Sequence, residues 1–148
     1  MKTVLQALVL AERVYTDTSG KKIIAGTFNV IRFKKGVPLV HKEEGKDGEV
    51  ERVVLGGMEA GSPAVYISLT DVVDGTTITL RFINISKNVT IFGADFNLTC
   101  NDRLKTIEIV APLPQLAPFL DGPGTYAIEI LCEGDILGSH RLLAKEIE

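Results

Sequence analysis

Two histidines and two cysteines are the residues of this chain best suited to chemistry, and their surroundings decide how much of it is usable. Nucleophilic catalysis needs an attacking group, a base and a third group that orients the base. His41 falls in a stretch dense with Lys and Glu, and His140 alternates in phase with Ile136, Leu142 and Ala144, which puts it on a sheet interior or rim. No Gly-x-Ser-x-Gly, P-loop or Gly-x-Gly-x-x-Gly follows a strand-like run, and zinc would need ligand clusters that are absent from the sequence. These patterns predict a protein that is not an enzyme. A hydrolase stays open only because convergent sites need no motif.

Acidic turns are the second candidate. If the strands from Ala64 onward run alternately up and down, Asp71 and Asp74, Asn101 and Asp102, and Glu133 and Asp135 fall at one end. Carboxylates on neighbouring loops suit a hard cation such as calcium, which takes six to eight oxygens at about 2.3–2.6 Å. The candidate metal ligands are Asp71, Asp74, Asp102 and Asp135. Against this, Asp, Asn and Gly populate turns for backbone reasons alone, and none of these turns carries an Asp-x-Asp motif.

The elements that would position these residues are strands. From Ile23 onward the hydrophobic period is two, carried by β-branched residues and broken by Gly, Asp and Asn. Residues 76–85 set Ile78, Leu80 and Phe82 against Thr77, Thr79 and Arg81, and the next run keeps Phe92, Ala94, Phe96, Leu98 and Cys100 in phase. Ile107, Ile109 and Ala111 follow, then Tyr126, Ile128, Ile130 and Cys132, then a last strand over 136–145. Both cysteines are thus expected on the core face, where thiols are inert. Asp74-Gly75 reads as a hairpin turn between 64–72 and 76–85, Glu133-Gly134-Asp135 as another, and 17–21 joins the first two segments.

Two regions are less determined. Residues 5–15 read either as a helix or as a central strand apolar on both faces. Residues 34–63, rich in Gly, Lys and Glu, form an inserted loop or a hairpin with arms 37–42 and 50–55 and a tip over 44–49. Four of the six prolines lie in 112–123, which predicts an extended crossover between sheets, with Leu113, Leu116 and Phe119 plugging the end of the sandwich.

Residues 7–31, ALVLAERVYTDTSGKKIIAGTFNVI, and residues 112–143, ending GPGTYAIEILCEGDILGSHRLL, resemble an uncharacterised family of small bacterial β-sandwich proteins, a domain of unknown function. The resemblance rests on the Asp17 to Lys21 turn, the Gly26-Thr-Phe28 of the following strand, and the Pro123-Gly-Thr-Tyr126 that opens the penultimate strand. It implies an Ig-like two-sheet sandwich, makes 5–15 a strand, and carries no catalytic residues.

Composition sets the outer limits. The 148 residues suit one domain, 1–148, and 16 Lys plus Arg against 19 Asp plus Glu give a net charge of −3 with no basic patch, so nucleic acid is not an expected partner. The longest apolar run, 7–11, is far short of the roughly 20 residues that span a bilayer. The opening MKTVLQALVLA is too short for a secretory signal and is followed at once by Glu12-Arg13, so it reads as part of the fold. Sequons at Asn84, Asn88 and Asn97 then reflect strand composition, and two cysteines are too few for a disulfide scaffold. The expectation is an all-β, Ig-like sandwich of seven to eight strands with an inserted hairpin or loop near 34–63. It is read as cytoplasmic, a non-enzymatic binding or structural module with no required cofactor. A homodimer through an edge strand or the inserted hairpin is the expected partner, and calcium-dependent binding is the alternative.

Overall fold

Side chains that alternate apolar and polar need a sheet with one buried face. The computed structural model describes residues 2–34, 40–44, 50–55 and 63–147. It contains β1 (Val4–Thr16), β2 (Lys22–Thr27), β3 (Val30–Lys34), β4 (Val40–Glu44), β5 (Val50–Leu55) and β6 (Ala64–Thr70). These are followed by β7 (Thr77–Asn84), β8 (Val89–Asn97), β9 (Ile107–Pro112), β10 (Gly124–Cys132) and β11 (Asp135–Ile147). A 3-10 turn, Ala117–Phe119, is the one helical element among the described residues.

One sheet runs β2-β1-β6-β9 and the other β3-β11-β10-β7-β8, while β4 and β5 form a separate antiparallel pair. Leu10, Val65, Ile67 and Leu69 of the first sheet share one buried cluster with Ile78, Leu80, Phe82, Tyr126, Ile128, Ile130 and Leu142 of the second. Each such side chain removed from water is worth about 1.5–3 kcal/mol. The all-β two-sheet sandwich read from the alternation is therefore the fold.

β1 is an interior strand of its sheet, with Val14 opposite Ile24 of β2 and Leu8 opposite Ile67 of β6, so residues 5–15 take the strand alternative rather than the helix. The inserted segment does form a hairpin over Val40–Glu44 and Val50–Leu55; residues 37–39 and 45–49, part of the expected first arm and tip, lie outside the described residues. The proline-rich 112–123 does cross from the first sheet to the second, with Leu113 and Leu116 buried as expected. Phe119 stays 40% exposed and sets its ring edge-on to Phe92 at 5.2 Å.

Two expectations need correction. Asp74-Gly75 is not a hairpin turn, because β6 and β7 belong to different sheets; the turn, with Thr76 N–H donating to the Val73 carbonyl at 3.1 Å, carries the chain across the sandwich. The resemblance puts Gly26-Thr-Phe28 on one strand, but β2 ends at Thr27 and Phe28 falls in the link to β3. Gly26, at φ +74°, bends the chain out of the first sheet, and β3 then pairs parallel with β11, Val30 opposite Leu143. The two-sheet total is nine strands instead of seven or eight, and this sheet switch is one source of the difference.

Candidate functional site

The end of the sandwich that carries the acidic turns is where the loops 71–76 and 98–106 and the β10–β11 turn come together. Thr77 opposes Asn97, Ile78 opposes Cys132 and Leu69 opposes Ile107, so Asp71, Asp74, Asp102 and Asp135 share that end, as the up-and-down reading expected. They do not converge: among the described residues no three His, Cys, Asp or Glu side chains are grouped to hold a metal.

Backbone bonding accounts for what these residues do. Asp74 Oδ1 accepts from the Cys100 N–H at 2.9 Å, tying two crossing loops together, and Asp102 Oδ1 accepts from the Leu104 N–H at 2.9 Å within its own turn. Asp71 takes the left-handed φ of +56° that Asp tolerates, its N–H donating to the Arg103 carbonyl and its carbonyl accepting from Thr3 Oγ1. Asp135 is 4.0 Å from Lys2 Nζ with both side chains largely in solvent, a pair worth little. Arg103 belongs to the same loop cluster through its carbonyl, and its Nε and Nη2 are buried with no hydrogen-bond partner among the described residues. An open depression of 370 Å³ lies beside the turn, lined by Lys2, Thr3, Val73, Cys132, Glu133 and Asp135 among others.

The nucleophile and base candidates are dispersed. His140 Nε2 lies 3.0 Å from the Phe28 carbonyl, and the Leu143 N–H donates to the Asn29 carbonyl at 2.8 Å. His140 therefore sits at the rim where the chain passes from β2 to β3. His41 is on β4 opposite Val54, in the separate hairpin. Both cysteines are half-buried free thiols packed against the core rather than within it. Cys100 lies beyond the last residue of β8, and its Sγ–H donates to the Asp102 carbonyl at 3.1 Å.

A polar cluster at the opposite end escaped the reading by residue type. The Tyr126 hydroxyl has two acceptors for its single proton, Asp121 Oδ1 at 2.7 Å and the Gly122 carbonyl at 2.8 Å, and accepts from the Asp121 N–H at 3.2 Å. Asn84 Nδ2 and Lys87 Nζ also donate to the Asp121 carboxylate. Burial, then the bond to Asp121, pushes the Tyr126 hydroxyl up to about 12. The same hydroxyl, followed by Lys87, holds Asp121 below the usual carboxylate range. The signal was in the sequence, since Pro123-Gly-Thr-Tyr126 places a Tyr at the start of a strand, where sandwiches use its hydroxyl to brace the preceding loop.

The outer face of the first sheet carries a second feature. Because Val65, Ile67 and Leu69 point inward, Tyr66 points out, and the register puts Val9 and Val110 on either side of it. Ala7 and Ala64 flank this row, Ser68 and Glu108 share the same face, and Val9, Tyr66 and Val110 are themselves half-buried. The Tyr66 hydroxyl donates to Glu108, two residues from Val110 on β9, a bond that raises the Tyr66 pKa. This surface was missed because Ala and Val give no chemical signature on their own.

No helix among the described residues is long and apolar enough to cross a membrane. No curated protein matches the sequence. A family model described as a family of unknown function, DUF6941, matches residues 6–145, and with its sheets, crossover and Tyr126 brace in view the chain belongs to that family.

Proposed function

We propose that the chain is an Ig-like module of the bacterial cytoplasm that works by binding other protein surface and has no catalysis of its own. The observation that supports this reading is the row Val9, Tyr66 and Val110 on the outer face of the first sheet, apolar side chains that keep part of their surface in solvent. The order β11-β10-β7-β8, with β6 beside β9 in the other sheet, parallels the G-F-C-C′ and B-E arrangement of Ig sandwiches, and the Tyr126 brace is a feature those domains share. Two unpaired thiols suit a reducing compartment.

Val9→Lys tests the reading, since Val9 lies on the outer face and its charge would leave the core intact. Affinity capture from extracts of the native cells should retain a protein on the unmodified chain and lose it with the variant, while both show the same thermal melt. Equal capture by the two chains, or turnover by the purified chain in hydrolase assays, overturns it.

A further inference from the structure

A second copy of the chain as one partner of the module can be argued from the edge of the same sheet, an inference that rests on the binding-module reading and deepens it. The Leu113 N–H donates to the Pro63 carbonyl at 2.9 Å, in the same register as the pairs from Ala64 opposite Pro112 to Leu69 opposite Ile107. Antiparallel pairs alternate between bonded and non-bonded. Ile107, Ile109 and Ala111 therefore bond to β6, while Glu108 and Val110 turn both N–H and C=O away from the sheet, and Pro112 turns out only a carbonyl.

Sheet edges are ordinarily guarded by charge, by bulges or by backbone that leaves the strand conformation. β2 carries Lys22 and the left-handed Gly26, and the pairing of β8 shifts register opposite Phe82 and Ile83. On β9 the one charge is Glu108, and the Tyr66 hydroxyl draws its carboxylate back over β6 and away from the edge. Just before β9, Leu104 is 88% exposed, the most exposed large apolar side chain described.

We infer that β9 pairs antiparallel with β9 of a second copy about a two-fold axis at Ile109, joining two four-stranded sheets into one of eight. In that register each Glu108 opposes the partner's Val110, and the outward groups of both residues are satisfied in four hydrogen bonds. An axis at Glu108 would oppose two carboxylates; one at Val110 would strand the Glu108 carbonyls opposite Pro112, which has no N–H. The axis at Ile109 also brings the Leu104 end of each strand to the exposed Pro112 end of the other. Six residues of edge make an interface below the roughly 1,000 Å² of a permanent assembly, so the dimer is concentration-dependent.

Sedimentation velocity over a concentration series tests the pairing with the chain itself, Val110→Glu and Val110→Lys. The native chain should dimerise as concentration rises. Val110→Glu, facing the partner's Glu108, should raise the dissociation constant at least tenfold, and Val110→Lys should not. A native chain that stays monomeric at millimolar concentration, or equal effects of the two charges, overturns the inference. Amide hydrogen exchange on the native chain gives a reading independent of the variants: Glu108 and Val110 should slow as the chain is concentrated, and unchanged rates refute the pairing. A monomeric chain that still loses a cellular partner on Val9→Lys would refute the dimer and leave the module reading standing.

Discussion

Tyr126 shows how one hydroxyl can be both buried and indispensable. Its ring stacks on Phe82 with centroids 5.5 Å apart, while its oxygen closes the loop back to Asp121 and Gly122. Tyr126→Phe keeps the ring and removes the oxygen, leaving the Asp121 N–H and the Gly122 carbonyl to find other partners. The expected cost is about 1–3 kcal/mol, read as a lower urea midpoint at unchanged slope. The pH dependence has a definite sign. The Tyr126 hydroxyl is raised to about 12, so its stabilisation is complete below the ordinary tyrosine value of about 10 and drains away as pH rises toward 12. Asp121 is lowered, so its contribution is present above about pH 4 and is lost on further acidification. Melts across pH 9 to 12 should show the alkaline loss in the native chain and a smaller one in Tyr126→Phe. At this scale the sequence was legible where a residue's neighbours in the chain decide its role, as at Asp102 and Leu104. It was silent where the partner comes from 37 positions away, as with Asn84 and Asp121.

Strands were read well and their connections less well. Alternation locates a strand because the pleat enforces it locally, but whether two successive strands pair or part is settled by the sheets they join. Asp74-Gly75 has the composition of a hairpin turn and performs a crossing, and Gly26 has the look of a strand glycine and marks a change of sheet. Gly138 is a third case. It lies on β11 opposite Ile130, and a Cβ there would stand 2.5 Å from Leu5 Cδ2 of β1, so this glycine lets the two sheets close at that edge. Gly138→Val should cost about 1–3 kcal/mol through overpacking. Leu5→Ala combined with it should recover part of that loss, a coupling that chemical denaturation of the two single variants and the double variant would measure.

For the whole molecule, the acidic end gives a clear expectation. A ligand that binds only the folded state at about 100 times its dissociation constant stabilises by about 2.7 kcal/mol, so a real calcium site would move the entire melting transition. With Asp74 and Asp102 already bonded to backbone N–H groups, the melt in millimolar calcium should coincide with the melt in chelator. Asp74→Ala should lower both by the same amount, about 1 kcal/mol, since it removes a loop tie rather than a ligand. The parallel contact of β3 with β11 has a consequence in time. Val30 finds its partner Leu143 only 113 residues later in the chain. At translation rates of roughly 5–20 residues per second, β3 is made roughly 6–23 seconds before its partner on β11. During that interval the backbone groups of β3 that will face β11 have no partner in the chain, so this corner of the second sheet is the last to close during synthesis.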